Sequence, residues 1–392
     1  MHVALVTETY PPEVNGVAAT VSRVVEGLRA RGHMLQLLRP RQSAGDVAAV
    51  GACFAEQLLP GLPIPRYPQL RLGLPARATL VRAWTARRPD LVHIVTEGPL
   101  GWSALRAAEQ LRLPVVTDFR TNFHAYCQHY GMAWLYDPIT AYLRQFHNRA
   151  ACTMVPTEGL RQELEAIGFQ RLRVVSRGVD TQLFDPRRRD LDLRRQWGAG
   201  PADMVVMCVG RLAPEKNLGT LLTAFQALRR IEPGARLVLV GDGPQRAALQ
   251  RRCPEAVFAG VRRGVELAAH YASADVFLFP STTETFGNVV PEAMASGLAV
   301  VAFDHAAAAQ MIRHGENGLL ASLGDTDGFI AAAQRLATVS ERARSMGMQA
   351  RHTACQLGWG RVVQAVEAEY QTALGDPGAM FGPAWRATAT VA

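Results

Sequence analysis

Lysine is all but missing from this sequence. Lys216 is the single example among 42 lysine and arginine residues, so a formal net charge of +8 rests on guanidinium groups. An ammonium is a compact point charge where guanidinium is a planar fork, and the lone lysine marks a place where the compact shape is wanted. Cysteine is sparse as well. The six at positions 53, 127, 152, 208, 253 and 355 form no C-x-x-C pair, which excludes a compact disulfide framework and a cysteine zinc site. A reducing cytoplasm is the expected compartment. Long apolar runs are absent: stretches such as Leu298–Phe303 fall far short of the roughly 18 residues of a spanning helix. The segment Met1–Glu8 reaches an acid after one short apolar run, lacks the features of a secretion signal, and reads as a first β-strand. What remains is an ordinary globular composition, 48% hydrophobic, 19% charged and 7% aromatic, and 392 residues suffice for two cores.

Short apolar runs alternate with amphipathic ones, which predicts βαβ units and parallel sheets. Strands are predicted at His2–Val6, Met34–Leu38, Leu91–Val95, Pro114–Thr117 and Cys152–Val155, with a helix over Val17–Arg31. The alternation pauses at Ser176–Asp180 and Asp185–Asp190, where proline and dense charge read as a linker. It restarts with strands at Met204–Val209, Arg236–Val240, Val276–Phe279 and Leu298–Phe303 and helices at Leu218–Arg230 and Pro244–Arg252. The predicted class is α/β, with two facing domains, each built on a parallel sheet, and a cleft between them. Their expected bounds are 1–185 and 186–358, followed by a helix over 359–375 that packs back on the first domain and a flexible tail over 376–392.

Between Gly61 and Pro89 stand Arg66, Arg71, Arg77, Arg82, Arg87 and Arg88, with no acid until Asp90. Two readings are open, a solvated face or contact with a polyanion. No zinc-finger spacing, aromatic RNA-binding motif or basic helix with heptads is present, so no nucleic-acid partner is expected. The interleaving of Arg66, Arg71 and Arg77 with Leu62, Ile64, Leu70 and Leu72 suits peripheral contact with an anionic membrane, apolar side chains among head groups and arginines on phosphates.

Ligands of open parallel sheets sit at the carboxyl ends of strands, where loops meet helix N-termini. In the loop Thr7–Val17, Gly16 opens a helix and leaves backbone amides approachable, or is simply structural. In Val209–Asn217, Arg211 and Lys216 lie across a proline turn, either converging on one diphosphate or forming a surface pair. In Pro280–Gly297, a strand ends, a glycine turn follows and a helix starts near Asn288. The backbone amides of Phe286, Gly287, Asn288 and Val289 then form a positive end suited to phosphate. Glu284 before that helix and Glu292 inside it can accept hydrogen bonds from a hydroxyl-rich ligand; the plainer alternatives are a cap and an exposed carboxylate. Asp190-Leu191-Asp192 and Asp325-Thr326-Asp327 have the spacing of metal-binding carboxylates but read as turn or cap residues, and no metal is expected.

The ordered set Asn15-Gly16, Gly210-Arg211 with Lys216, Val240-Gly241-Asp242-Gly243-Pro244, Phe258 with Gly260, and Glu284 with Glu292-Ala293-Met294-Ala295-Ser296-Gly297 resembles the retaining nucleotide-sugar glycosyltransferases with two facing Rossmann-like domains, the GT-B type. The resemblance covers roughly residues 1–375. The runs Glu284–Asn288 and Thr7–Pro12 are similar to the bacterial GDP-mannose-dependent α-mannosyltransferases and to related diacylglycerol and sulfoquinovosyl lipid glycosyltransferases.

The resemblance implies that Arg211 and Lys216 bind the donor diphosphate, Glu284 holds sugar hydroxyls, and Phe286, Gly287, Asn288 and Val289 wrap sugar and phosphate. Glu292 would take the ribose hydroxyls, Val261 in Gly260–Arg262 the base edge, and Gly16 the donor phosphate or the acceptor. It further implies transfer of a hexose to a lipid or glycan acceptor at the cytoplasmic face of the membrane, with retention, no metal or other cofactor and no protein nucleophile. Mannose from GDP-mannose is the first expectation and a UDP-sugar the alternative. Where the family has a histidine in wording like Tyr-His-Thr, this sequence has Arg120, and His124 either returns to the same helix face one turn on or is structural. Arg120 also motivates a non-catalytic nucleotide-sugar-binding protein. Ala306–Gln310 stand in place of a common Gly-Gly and acid.

Overall fold

Fully buried strands organise both halves of the chain. The structure, a computed structural model, describes residues 1–13, 15–64, 67–120, 136–337 and 340–375. They divide into two compact units, one built from residues up to Arg177 with the C-terminal segment from Trp359, the other from Gly178–Gly358. The division falls ahead of 185/186 because the charged run taken for a linker packs into the second unit. Asp185 accepts from Arg187 N at 2.8 Å and from Arg351 at 3.0 Å, and Arg189 pairs with Asp275 at 2.8 Å.

The first unit carries β1 (His2–Val6), β2 (Met34–Pro40), β3 (Val50–Gly51), β4 (Phe54–Leu59), β5 (Gly61–Ile64), β6 (Tyr67–Gly73), β7 (Leu91–Ile94), β8 (Val115–Asp118), β9 (Cys152–Val155) and β10 (Leu172–Val174). Eight of them form one sheet in the order β10-β9-β8-β7-β1-β2-β4-β3, parallel except for the β3–β4 pair. Every residue of β1, β7, β8 and β9 is buried, as strands covered by helices on both faces require. The helix Trp359–Gly375 belongs to this unit: Val363, Val366 and Tyr370 share a core with Val21, Val25 and Leu28.

Gly61–Ile64 and Tyr67–Gly73, within the arginine-bearing stretch noted above, pair as an antiparallel ribbon of β5 and β6, with Leu62 opposite Leu72 and Pro63 opposite Arg71. The prolines disguise it. In a two-stranded ribbon both strands are edges, so a missing N–H donor costs little.

The second unit has β11 (Val205–Val209), β12 (Arg236–Val240), β13 (Val257–Gly260), β14 (Val276–Phe279), β15 (Ala299–Phe303) and β16 (Leu319–Ala321). They form one sheet in the order β13-β12-β11-β14-β15-β16, all parallel. Leu221, Phe225 and Phe329 pack in one core and Tyr271, Phe277 and Met294 in another. Chain order reverses between β11 and β14, so a crevice opens at their carboxyl ends. The loops after β11 and β12 also touch there. Leu212 N donates to Asp242 O at 2.9 Å, and a Cβ on Gly241 would lie 1.9 Å from the carbonyl oxygen of Gly210.

Gly241 has φ +135°, so steric exclusion and backbone strain act together on any side chain there. Gly241→Ala is expected to lower the urea midpoint by an amount worth ~3 kcal/mol or more, whereas Gly32→Ala, a left-handed glycine with nothing near its missing Cβ, should cost only about 1 kcal/mol.

Candidate functional site

The crevice of the second unit is built by the loops that follow β11, β12, β13 and β14. After Gly210, a single turn of 3-10 helix, Pro214–Lys216, leads to Asn217, whose left-handed conformation (φ +50°) starts the helix Leu218–Arg229. This turn sends Lys216 across to the neighbouring loop, where its Nζ pairs with the Glu284 carboxylate and lies 5.7 Å from the centre of the Phe279 ring. Ser281 Oγ donates to the same Glu284 oxygen at 2.7 Å. The Glu284 carboxylate thus ties the β14 loop to the β11 loop rather than capping a helix. Arg211 pairs with Glu215, whose side chain is only 1% exposed, so its guanidinium stands at the crevice edge on a buried counter-charge.

The glycine turn lies beside them. Phe286 is buried and its carbonyl accepts from Ala307 N at 2.8 Å, while Gly287 takes φ +87° and accepts from Val290 N at 3.0 Å. Asn288 precedes the helix Val289–Ala295. Glu292, on that helix, accepts from the hydroxyl of fully buried Tyr271 at 3.1 Å, and burial pushes its carboxyl up to about 7. Val261 is exposed just beyond Gly260, whose carbonyl accepts from Gly241 N at 2.9 Å. Arg211, Lys216, Val261, Glu284, Gly287 and Glu292 therefore all lie at or beyond the carboxyl ends of strands of one sheet. Lys216, Arg211 and the anchored glycine turn can hold an anion, and the carboxylates of Glu284 and Glu292 can accept hydroxyls. Asp190 and Asp325 are cap and turn residues, accepting from Leu193 N at 3.0 Å and Gly328 N at 2.9 Å.

In the first unit Gly16 is the first residue of the helix Gly16–Ala30, and Asn15 caps it by accepting from Val17 N at 3.1 Å and Ala18 N at 2.8 Å. His124 and Arg66 lie outside the described residues. Arg71 is on β6, and Arg77 opens the next helix, donating to Gln110 at 3.0 Å. Arg120 is tied to buried Asp118 (Nε to Oδ2, 2.9 Å), which also takes His93 Nε2 at 3.0 Å; His93 Nδ1 in turn meets Tyr370 Oη at 2.7 Å. Burial alone would raise the Asp118 carboxyl, but Arg120 and His93 outweigh it and hold it below the usual carboxylate range.

The sequence reading missed three carboxyl groups, Glu8, Glu97 and Asp118, at or just beyond the ends of the neighbouring strands β1, β7 and β8. Their signal was available: an acid directly at the end of a buried parallel strand. Glu8 accepts from Leu100 N at 3.0 Å, yet burial pushes it up to about 7. Glu97 is 5% exposed, one of its carboxyl oxygens has no hydrogen-bond partner among the described residues, and burial pushes it up to about 8.

Because Glu97 binds its proton more tightly folded than at its ordinary value of 4.5, its contribution to stability is full below about 4.5 and is lost as pH rises through about 8. Glu97→Gln is expected to leave stability unchanged near pH 5 and to add ~1–3 kcal/mol near pH 9, read by denaturant titration at both values.

Residues 14–183 match the family described as Glycosyltransferase Family 4, and residues 203–338 match Glycosyl transferases group 1. A GDP-mannose-dependent alpha-mannosyltransferase of Mycolicibacterium smegmatis is 36% identical over 379 residues, covering 96% of this chain and 98% of that protein. An alpha-monoglucosyldiacylglycerol synthase of Acholeplasma laidlawii is 27% identical over 340 residues, 81% of this chain and 84% of that one. Among solved structures, sucrose-phosphate synthase of Thermosynechococcus elongatus has the same fold, with a TM-score of 0.75 at 21% identity over 95% of this chain and 98% of that chain.

Proposed function

Since the chain belongs to the group 1 glycosyltransferases, enzymes of the two-domain GT-B fold, we propose that it moves mannose from GDP-mannose, with retention, to a lipid or glycan acceptor at a membrane surface. The observation that carries this reading is the pairing of the only lysine with Glu284 at the switch point of the second sheet. Breaking the anomeric C–O bond leaves an oxocarbenium-like carbon and a departing nucleoside diphosphate, so the catalyst must stabilise negative charge on the leaving group. Lys216 and Arg211 would meet that charge, helped by the backbone of Phe286, Gly287, Asn288 and Val289. Glu284, already accepting from Lys216 and Ser281, would take a sugar hydroxyl, and Glu292 the ribose. Val261 would border the base.

The acceptor oxygen would bond to the anomeric carbon on the face the diphosphate leaves, and the departing phosphate oxygen would take the acceptor proton. This balance needs no protein nucleophile and no metal. We place acceptor binding in the first unit, with Gly16, and with His124 as the candidate for the family histidine. For the membrane, Leu62 and Leu72 support the reading: they are cross-strand partners on the ribbon, 56% and 38% exposed, with Arg71 beside them. No described helix is long and apolar enough to cross a membrane, so contact would be peripheral.

Purified protein given labelled GDP-mannose and a lipid extract is expected to form labelled product, and Lys216→Ala should lower kcat/KM at least ~100-fold, with Lys216→Arg restoring only part. Transfer from UDP-glucose alone would move the donor to the UDP class; binding of GDP-mannose without transfer or hydrolysis would favour a nucleotide-sugar sensor. Sedimentation with anionic vesicles should be salt-sensitive and should weaken when Arg66, Arg71 and Arg77 become Ser; unchanged sedimentation refutes the ribbon's role.

A further inference from the structure

The sheet of the second unit has a second opening, at the amino ends of its strands, on the edge opposite the crevice. A cavity of about 540 Å³ lies there, floored by Ala272, Ala274, Ser296 and Gly297 and walled by Met204 and Met348. Its volume is within the range of small-molecule sites, roughly 300–1,000 Å³. No residue assigned above to donor or acceptor lines it.

The charges around this cavity decide what fits. Arg189 is neutralised by Asp275 at 2.8 Å, and Arg351 by Asp185 at 3.0 Å and by backbone carbonyls. Asp275 is further committed to Arg194 at 3.0 Å, and Asp203 turns its carboxylate to Gly200 N at 2.7 Å. Arg344 is different: it lines the cavity, is exposed, and has no ion pair or hydrogen bond among the described residues. The floor itself carries no accessible charge: Ser296 is 3% exposed there, beside Gly297. The remaining lining is alanine, glycine, proline and methionine, and Met348 is 67% exposed at the mouth. Methionine adapts its shape to varied apolar occupants.

We propose that this cavity is a binding site, separate from the transfer site, for a small amphipathic anion whose apolar body fills the alanine and methionine walls and whose single carboxylate or phosphate meets Arg344. The two head groups share one chemistry and are separated by experiment. Decanoate and decyl phosphate are titrated calorimetrically into the full-length protein, with decanol and inorganic phosphate as tail-only and head-only probes.

One equivalent of at least one of the two anions is expected to bind with a dissociation constant below ~100 μM, at least tenfold tighter than either control probe. Tighter decanoate assigns a carboxylate ligand, tighter decyl phosphate a phosphate. Arg344→Gln should weaken binding at least ~tenfold. Ala202→Trp, on the exposed loop at the rim, should abolish it by filling the mouth. Absence of stoichiometric binding, equal binding of decanol, or wild-type affinity in both variants overturns the proposal. GDP titrated into the same samples keeps the two sites apart: GDP binding without anion binding defeats this inference alone, and anion binding without GDP binding defeats the donor reading alone.

Discussion

The ion pair between Lys216 and Glu284 is the constraint on which the arrangement of the second unit's crevice depends. Both side chains are largely withdrawn from water, at 17% and 13% exposure. A pair so placed gives up much of its hydration, and its mutual attraction recovers that loss only where geometry and further hydrogen bonds are good, as Ser281 provides here. Stability alone is a weak reason to keep such a pair. Its effect is positional: it joins loops that leave β11 and β14, the strands between which chain order reverses. The contact of Gly210 with Gly241 does the same between the β11 and β12 loops, so the three loops form one rigid rim. Rigidity there matters because stabilisation of developing charge depends on groups already in place.

The first unit solves a different electrostatic problem. Three acids stand at or just beyond the ends of β1, β7 and β8, and among the described residues only Asp118 is given cations. Arg120 and His93 keep it ionised, while Glu8 and Glu97 are left to burial and hold their protons into the neutral range. The Tyr370–His93–Asp118–Arg120 chain ties the helix Trp359–Gly375 to the tip of β8. Arg120 is therefore not a loose surface group but the outer end of a buried hydrogen-bonded chain.

Much of this was legible in the residues. The alternation of short apolar runs with amphipathic ones located the buried strands within a residue or two, because parallel strands covered on both faces must be continuously apolar. The Gly210–Lys216 and Glu284–Glu292 segments were readable because glycines, a lone lysine and acids at strand ends are chemically distinctive. The ribbon of β5 and β6 was not, since its prolines mimic a loop and its pairing is decided by a partner strand. The division at Arg177 lies inside the Ser176–Asp180 pause, but the boundary was set later, at 185/186, because Asp185–Asp190 looks like solvated charge until Arg351 and Asp275 are placed against it. The partners of Arg211 and Lys216 were out of reach for the same reason: a sequence shows which charges exist, and only the fold shows which of them have already been matched.

The near-absence of lysine has a chemical corollary. Reagents that acylate primary amines ignore guanidinium groups, so apart from the amino terminus they meet one target in this chain, and that target sits in the crevice of the second sheet. An activated ester carrying a fluorophore or an isotope would thus report on that crevice without competition from the surface. Anything that covers the ammonium would register as protection of a single peptide.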